Sequence, residues 1–192
     1  MIPDPWLTRW LPLVRERAAG TPLLEIGCGH GDDTAELVKA GLEVVAFDLS
    51  ALSVGIARIR VPTAQIECQD ARDPFPGLIK APGTVVAGLS LHYFGWEETL
   101  KIVQRIQTLL KPGGVLLCRL NSTEDKHFGA QGHNEIEHNF YNVNGEPKRF
   151  FDQATVESLF AIGWNILSLE HLVTGKYVKS KALWEGVFEK AR

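Results

Sequence analysis

The sequence has few cysteines and no long apolar run. Its three cysteines, Cys28, Cys68 and Cys118, lie far apart and form no CxxC pair. Such an odd, sparse set argues against a disulfide framework and suits a reducing compartment. No stretch approaches the roughly 20 apolar residues that a membrane span needs, and the N-terminal stretch carries charges before any apolar run, unlike a signal peptide. These absences predict a soluble, cytoplasmic protein without a membrane role.

The sequence also lacks an excess of basic residues. Its formal net charge is -3, and basic residues cluster only at Lys148-Arg149 and over residues 176–181. A protein that binds nucleic acid phosphates usually carries a basic surface, so a nucleic-acid partner is disfavoured. With 45% hydrophobic residues, a chain of 192 residues can bury one proper core. We therefore expect a single domain over residues 1–192.

Short apolar, β-branched runs alternate with helix-like stretches from Leu23 onward. Strands are predicted at Leu23–Ile26, Glu43–Asp48, Ala64–Asp70, Thr84–Ser90 and Val115–Leu120. Helices are predicted at Asp32–Ala40, from a cap at Ser50 to about Arg60, and at Trp96–Leu110. This alternation is typical of an α/β, Rossmann-like doubly wound fold, in which helices cover both faces of a mostly parallel sheet. We expect seven strands in the sheet.

The alternation breaks after Leu120 for about thirty residues, which is long for a simple connection. Residues 121–151 form an insertion in which Asn144-Gly145 indicates a hairpin turn. A helix over Asp152–Ala161 follows, and then strands at Asn165–Leu169 and near Leu183–Phe188. Because no helix separates these two strands, we predict that the last strand is antiparallel.

Three glycines follow the first predicted strand. Gly27, Gly29 and Gly31 occupy alternate positions before a helix, and a cluster of this kind marks a tight turn or a close approach of the backbone to a ligand. In a doubly wound sheet the ligand lies beyond the carboxyl ends of the strands, where the strand order reverses. Asp48 ends the second strand, where a carboxylate can accept hydrogen bonds from both hydroxyls of a ribose.

The residues after these glycines distinguish between two classes of cofactor. A dinucleotide fingerprint, G-x-G-x-x-G, would place a glycine at position 32, where this chain has Asp32 followed by Asp33. Two carboxylates at that helix N-terminus would oppose a pyrophosphate. A cofactor without phosphate and with a positive centre would tolerate them, and the sulfonium of S-adenosylmethionine fits this description.

Five segments in order, "LLEIGCGHG", "VVAFD", "CQDAR", "VVAGLSLHYF" and "LLKPGGVLL", resemble those of class I S-adenosylmethionine-dependent methyltransferases. The resemblance extends over nearly the whole chain. The C-terminal segments "RFFDQATVESLFAIGWNI" and "KALWEGVFEK" are loosely similar to small methyltransferases of the tellurite-resistance type. S-adenosyl-L-methionine is the cofactor that this resemblance implies, and methyl transfer to a small-molecule acceptor is the implied activity.

The resemblance also implies the cofactor-binding residues. The residues around the methionine part of the cofactor are Glu25, Gly27, Cys28, Gly29, Gly31, Leu89 and Ser90. The residues around its adenosine are Asp48, Leu49, Asp70 and Ala71. Cys28 is expected only to fit into the loop and not to act as a nucleophile. The residue-based alternatives are a turn without ligand for the glycines, a helix cap for Asp48 and a turn cap for Asp70.

His92 and Tyr93 follow the fourth strand, where the reacting methyl group should lie. The N/D-P-P-Y/F motif of DNA amino-methyltransferases is missing from this position, which argues against methylation of a base. His92 is a candidate general base or substrate partner, and Tyr93 a candidate wall or cation–π contact for the sulfonium. Ordinary packing at a strand–helix junction is the alternative for both.

The insertion would stand over this rim of the sheet. Its candidate substrate contacts are Asn121, His127, His133, Tyr141 and Arg149, together with Glu135, Glu137 and His138. No H-E-x-x-H or similar spacing supports a metal site among its histidines, so no metal is predicted. The chain leaves no room for a separate recognition domain, which favours a small acceptor.

The N-terminal 20 residues are predicted to be helical. Asp4-Pro5 would start the helix and place Trp6, Trp10 and Val14 on one face, packed against the sheet or, alternatively, over the cofactor as a lid. Two other functions stay open: a non-catalytic S-adenosylmethionine-binding module and a nicotinamide-dependent oxidoreductase.

Overall fold

The structure, a computed structural model, describes residues 6–175 and 179–191. The helices are α1 (Leu11–Ala18), α2 (Asp32–Lys39), α3 (Ala51–Arg60), α4 (Trp96–Leu109) and α5 (Gln153–Leu159). The strands are β1 (Leu23–Ile26), β2 (Val44–Asp48), β3 (Gln65–Cys68), β4 (Thr84–Gly88), β5 (Val115–Asn121), β6 (Asn134–Glu137), β7 (Phe140–Val143), β8 (Glu146–Arg149), β9 (Trp164–Thr174) and β10 (Lys181–Lys190). Short 3₁₀ helices cover Thr8–Trp10 and Leu91–Tyr93.

The central sheet confirms the predicted fold class. Within the described residues it has seven strands in the order β3-β2-β1-β4-β5-β10-β9. Strands β1 to β5 pair in parallel, and β10 is antiparallel to both β5 and β9. The strand order reverses between β1 and β4, which places the glycine loop after β1 at the topological switch point.

Two hydrophobic cores lie on opposite faces of this sheet, because successive side chains of a strand alternate between faces. One face packs against α4 and α5 through Ile102, Ile106 and Val156. The other packs against α1, α2 and α3 and includes Val14 and Leu37. Strands β1 and β5 are buried along their whole length, as expected for parallel strands covered on both faces.

The insertion is more ordered than a single hairpin. Asn144 and Gly145, with φ of 55° and 92°, form the two-residue turn between β7 and β8 that the sequence predicted. Strand β6 adds a third strand, so a small antiparallel sheet in the order β6-β7-β8 results. Strands β9 and β10 are also longer than predicted, since they pair with each other from Trp164–Lys190 to Thr174–Lys181.

The N-terminal helix is shorter than predicted. Asp4-Pro5, the predicted start, lies outside the described residues, and α1 begins only at Leu11. Pro12 occupies the first turn of α1, where its missing N–H is tolerated; it would break a helix that began several residues earlier. Trp6 and Val14 are buried in the core, as the packing prediction stated. In the described part of the chain, no helix has the length and apolar character to cross a bilayer.

Candidate functional site

A cavity of about 1050 Å³ lies at the carboxyl ends of the central strands. Its wall is formed on one side by the loops after β1, β2 and β4, and on the other by the small sheet β6-β7-β8. The described lining residues are Ile26, Gly27, Gly29, Phe47, Asp48, Leu49, Ser50, Ser53, Gln69, Asp70, Ala71, Arg72, Leu89, Ser90, Tyr93, Phe94, Gly95, Glu98, Ile136, Glu137, Phe140, Glu146 and Pro147. We call it the large cavity.

The glycine loop after β1 requires glycine for two reasons. Gly27, Gly29 and Gly31 all have positive φ, at 74°, 52° and 80°, which other residues adopt only with strain. A Cβ on Gly27 would lie 2.4 Å from the Cβ of Ser90, so the loop and the end of β4 approach each other closely. Gly29 has nothing within 4 Å of a Cβ position and lines the cavity, so its backbone is open to a ligand.

Asp48 closes the loop from the adjacent strand. Its Oδ2 accepts a hydrogen bond from the Gly29 N–H at 2.9 Å and its Oδ1 one from the Ser50 N–H at 2.8 Å. Each carboxylate oxygen has a second lone pair, so both can accept a further hydrogen bond from a ligand in the cavity. The cap of α3 is supplied by Ser50, whose Oγ accepts from the Ser53 N–H.

Asp70 lines the cavity but is already engaged. Its carboxylate pairs with Arg72 at 2.7 Å and accepts the Arg72 backbone N–H at 2.8 Å. These hydrogen bonds hold the pKa of Asp70 below its ordinary value. The carboxylate is therefore ionised at neutral pH and can act only as an acceptor.

Glu25 is buried behind the loop and does not line the cavity. Its Oε2 accepts a hydrogen bond from the Thr34 hydroxyl at 2.6 Å. Burial, and after it the nearby charge of Asp33, raises the pKa of Glu25 to about 8. The two aspartates at the start of α2 have partners: Asp32 pairs with Arg60, and Asp33 accepts the indole N–H of Trp6 at 2.9 Å.

The end of β4 carries unusual backbone and an unpaired hydroxyl. Leu89 has a φ of 58°, a conformation that costs a non-glycine residue energy and is found mainly at functional sites. The Oγ of Ser90 is buried without a hydrogen-bond partner. Both residues line the large cavity, so a polar ligand group there would find a free donor and acceptor.

The predicted cofactor residues thus fall into two groups. Those on the wall of the large cavity are Gly27, Gly29, Asp48, Leu49, Asp70, Ala71, Leu89 and Ser90. Glu25, Cys28 and Gly31 lie behind the wall and shape the loop. Cys28 is buried, and burial raises its thiol pKa to about 12, consistent with the expectation that it is not a nucleophile.

His92 and Tyr93 lie in the 3₁₀ helix that follows β4. Tyr93 is 42% exposed and lines the large cavity, and its ring centroid is 4.2 Å from that of His92. His92 is buried and lines a second cavity of about 270 Å³. Burial, and after it the charges of Lys181 and Lys148, lowers the pKa of His92 to about 3, so the imidazole is neutral at neutral pH.

The predicted substrate contacts of the insertion are dispersed. Asn121 is buried and lines the second cavity. Arg149 is buried beside the large cavity, where it donates to the carbonyls of Phe94 and His138 at 3.2 Å and pairs with Glu137; burial lowers its pKa to about 10.

The other three predicted contacts, His127, His133 and Tyr141, line neither cavity. Tyr141 is on the opposite face of β7 from Phe140, because side chains alternate along a strand, and its ring packs against Phe150 at a centroid distance of 6.0 Å. His127 is exposed, in the loop before β6. A pattern of polar residues in an insertion does not indicate which of them face inward.

The sequence did not single out several wall residues. Phe47 and Phe94 give the large cavity apolar surface, and Glu98 of α4, Glu146 and Pro147 complete its rim. Phe128, Lys148 and Lys181 line the second cavity. Phe94 and Glu98 could have been found from their position after β4, whereas Lys181 has no local signal, since only the antiparallel pairing of β10 with β5 places it there.

The large cavity suits a cofactor that has a sulfonium and no phosphate. Of its charged lining residues, Asp48, Asp70, Glu98, Glu137 and Glu146 are acidic and only Arg72 is basic among the described residues. The unpaired Ser90 hydroxyl and the open Gly29 backbone supply polar contacts. In the parts of the chain that the structure describes, no group of three or more His, Cys, Asp or Glu side chains could hold a metal ion.

The chain is similar to known methyltransferases in part of its sequence and in its fold. Residues 23–114 match the family described as "Methyltransferase domain". Trans-aconitate 2-methyltransferase of Paracidovorax citrulli is 34% identical over 116 residues, which cover 57% of this chain and 43% of that protein. A tRNA N(3)-cytidine methyltransferase of Danio rerio is 28% identical over 158 residues, or 75% of this chain and 44% of that protein. The chain thus spans less than half the length of these curated relatives.

The fold comparison extends over almost the whole chain. A crystal structure of a SAM-dependent methyltransferase from Methanosarcina mazei aligns with a TM-score of 0.77 and 15% sequence identity, covering 94% of this chain and 97% of that one. The similarity of the C-terminal segments to the tellurite-resistance type stays a prediction. Residues 23–114 are thus similar to a methyltransferase domain, and the whole chain shares the fold of a solved S-adenosylmethionine-dependent methyltransferase.

Proposed function

We propose that this protein binds S-adenosyl-L-methionine in the large cavity and transfers its methyl group to a small-molecule acceptor. The observation that carries the proposal is the geometry of Asp48, whose carboxylate joins the glycine loop to β2 and retains a lone pair on each oxygen for the ribose hydroxyls. When bound, the cofactor supplies an electrophilic methyl group, whose transfer leaves a neutral thioether.

The residues of the chain orient the cofactor and exclude water. Gly27 and Gly29 let the loop approach the methionine part, with Glu25, Cys28 and Gly31 shaping the loop from behind. Leu49, Asp70 and Ala71 surround the adenine. Because in-line displacement depends mainly on alignment, we assign the small sheet β6-β7-β8 the role of covering the reacting groups; Ile136 and Phe140 on that sheet line the cavity opposite β4.

Tyr93 and His92 lie nearest to the expected position of the acceptor. Tyr93 lines both cavities, and a phenol ring there would stabilise the sulfonium. His92 is neutral and buried with an unpartnered Nδ1, so we assign it hydrogen bonding to the acceptor. The lowered pKa makes the His92 imidazole a weak base, so its proposed role is hydrogen bonding and not proton removal.

A small acceptor is favoured over a polynucleotide. The rim of the large cavity carries the half-exposed carboxylates of Glu98 and Glu137 and the exposed carboxylate of Glu146. A phosphate backbone that crossed this rim would be repelled, in agreement with the net charge of -3. We also propose a cytoplasmic location, which is supported by the free thiols of Cys28, Cys68 and Cys118.

Isothermal calorimetry with S-adenosylmethionine, S-adenosylhomocysteine and NADH tests the cofactor. We expect the first two to bind and Asp48→Ala to weaken them about ten- to hundredfold, as for the loss of charge-assisted hydrogen bonds. Glu43→Ala removes an exposed carboxylate outside the cavity and should leave binding unchanged. Binding of NADH alone would instead revive the oxidoreductase alternative.

Turnover distinguishes an enzyme from a binding module. The protein is incubated with methyl-labelled S-adenosylmethionine and a panel of small acids, phenols, amines and thiols, and label transfer is measured. We expect transfer to at least one acceptor, and loss of transfer in Asp48→Ala. Tight cofactor binding without transfer to any acceptor would favour the non-catalytic module.

A further inference from the structure

The second cavity, of about 270 Å³, adjoins the large one. The two share Leu89 and Tyr93 in their walls. Its other described lining residues are His92, Asn121, Phe128, Lys148 and Lys181. We call it the small cavity. Its position beside the strained end of β4 places it next to the expected reaction centre.

Two buried polar side chains in its wall each have one atom without a hydrogen-bond partner. His92 is 4% exposed and Asn121 is 2% exposed, and neither the Nδ1 of His92 nor the Oδ1 of Asn121 has a hydrogen bond. Buried polar atoms in proteins are almost always hydrogen-bonded, and one left unpaired costs folding free energy. Two such atoms in the wall of one cavity indicate a polar ligand.

The charges around the small cavity are positive on its wall. The Lys181 ammonium is buried and pairs with the Asp125 carboxylate at 2.8 Å, whose other oxygen accepts the Ala182 N–H at 3.3 Å. An ammonium has three N–H donors, so this ion pair leaves Lys181 with further donors. Lys148 pairs with Glu146 at 3.2 Å, but Glu146 is 65% exposed and its charge is screened by solvent.

The field of both ammonium groups reaches His92. Burial has the largest effect on the pKa of the imidazole, and the charges of Lys181 and Lys148 lower it further. Burial lowers the pKa of Lys181 most, and the charge of Lys148 adds to this lowering. The two ammonium groups repel each other, and both disfavour a positive charge on the neighbouring imidazole. A bound anion would stabilise both ammonium groups.

We propose that the small cavity binds an oxyanion group of the methyl acceptor, a carboxylate or a phosphate. This inference rests on the proposed function and narrows its substrate class. Lys148 and Lys181 supply the charge. The unpartnered Asn121 Oδ1 can only accept a hydrogen bond, so the side-chain amide turns over to donate from its NH2 group to the anion. Leu89 and Tyr93 form the passage through which the acceptor extends its nucleophile into the large cavity. A cationic acceptor is disfavoured by the same lysines.

Protein-observed NMR on the isotopically labelled full chain, saturated with S-adenosylhomocysteine, tests the proposal. The probes are benzoate, phenyl phosphate and the neutral isostere benzamide, titrated at constant ionic strength. We expect benzoate or phenyl phosphate to bind at least about tenfold more tightly than benzamide and to shift the signals of His92 and Asn121. Which of the two anions binds more tightly distinguishes a carboxylate acceptor from a phosphate acceptor.

The matched variants are Lys148→Met and Lys126→Met. Lys148→Met keeps the aliphatic stem and removes the ammonium from the cavity, and should weaken the preferred anion at least about fivefold. Lys126→Met removes a lysine that pairs with exposed Glu124 and lies outside both cavities, and should leave the affinity unchanged. Lys181 is left intact because its loss would strand the buried Asp125 carboxylate; Asn121→Leu, which removes the amide, is the second variant.

The histidine signal supplies an independent readout. Because an adjacent anion favours the imidazolium, the pKa of His92 measured by NMR should rise when benzoate is bound. Equal affinity for benzoate, phenyl phosphate and benzamide would overturn the proposal. So would an anion affinity that neither Lys148→Met nor Asn121→Leu changes. In either case, binding of S-adenosylhomocysteine would still support the proposed function. If S-adenosylhomocysteine does not bind, the proposed function fails, and anion binding to the unliganded chain still tests the cavity.

Discussion

The large and small cavities share Leu89 and Tyr93 but differ in the charge of their walls. Carboxylates predominate around the large cavity, among them Asp48 and Asp70, whereas ammonium groups line the small one. In the reaction we propose, the cofactor brings a positive centre and the acceptor a negative group. Each cavity therefore matches one reactant and opposes the other, so electrostatics alone would direct the two to their own sides of the reaction centre.

Substitution of Gly27 should have the largest effect and should disrupt only the large cavity. Gly27→Ala combines a φ of 74° with a Cβ placed 2.4 Å from that of Ser90. We expect a loss of about 3 kcal/mol in the free energy of unfolding and loss of measurable S-adenosylhomocysteine binding. Gly41→Ala, with a φ of 84° but nothing within 4 Å, should cost only about 1 kcal/mol. Equal losses in urea unfolding would show that the close contact is unimportant.

Glu25 should make the large-cavity side of the fold sensitive to alkaline pH. Its pKa is raised from 4.5 to about 8 in the folded protein, so the folded chain retains a proton that the unfolded chain releases. The resulting stability is complete below pH 4.5 and is lost as the pH rises towards 8. The free energy of unfolding should therefore decline by about 2 kcal/mol over this pH range. We expect Glu25→Gln, which keeps an acceptor for Thr34, to remove this decline.

Urea unfolding of both proteins at a series of pH values measures this decline. Glu43→Gln, a change at an exposed carboxylate immediately before β2, is the matched control and should retain the decline. An identical pH profile for Glu25→Gln and the unsubstituted protein would contradict the prediction.

His92 should give the small-cavity side the opposite sensitivity. Its pKa is lowered from 6.5 to about 3, so the unfolded chain takes up a proton first on acidification. Stability from the neutral imidazole is complete above pH 6.5 and is lost as the pH falls towards 3. His92→Gln should reduce this acid-side loss by about 1–2 kcal/mol, whereas His127→Gln, at an exposed position, should not. Urea unfolding at a series of acidic pH values measures this loss. The prediction would be refuted if the free energy of unfolding fell equally with pH in the unsubstituted protein and both variants.

Substitution of Arg72 should have the smallest effect on cofactor affinity and tests whether Asp70 acts without it. Arg72 is 56% exposed where it pairs with Asp70, and such pairs contribute little. We expect Arg72→Gln to change the affinity for S-adenosylhomocysteine by less than about threefold. A much larger loss in calorimetry would mean that Arg72 itself contacts the ligand.

The residues of the large cavity could be predicted from the sequence where they lie directly after a strand. The carboxyl ends of parallel strands meet at one edge of a sheet, so Gly27, Asp48 and Ser90 could be grouped from their positions after β1, β2 and β4. Glu25 shows the limit of this reasoning. It belongs to the same motif, but whether its side chain faces the ligand or the core depends on packing against Thr34, which local sequence does not report.

The small cavity could not be predicted in the same way. Its residues extend from Leu89 to Lys181 and come together only because β10 inserts between β5 and β9. Among the polar residues of the insertion, the sequence could not separate Asn121, which lines the cavity, from His127 and Tyr141, which do not. Polarity is a property of a residue, whereas the direction of its side chain is set by strand register.

The sequence by itself determined the order of the strands and helices of the central sheet, the antiparallel last strand, the hairpin turn at Asn144-Gly145 and the glycine loop, because hydrophobic periodicity and turn chemistry are local. The tertiary structure decided which polar side chains share a cavity and which charges are buried together. Lys148 and Lys181 are distant surface-type residues in the sequence and neighbours of His92 in the fold. Long-range strand pairing and desolvation create that difference, and neither is encoded within any short segment.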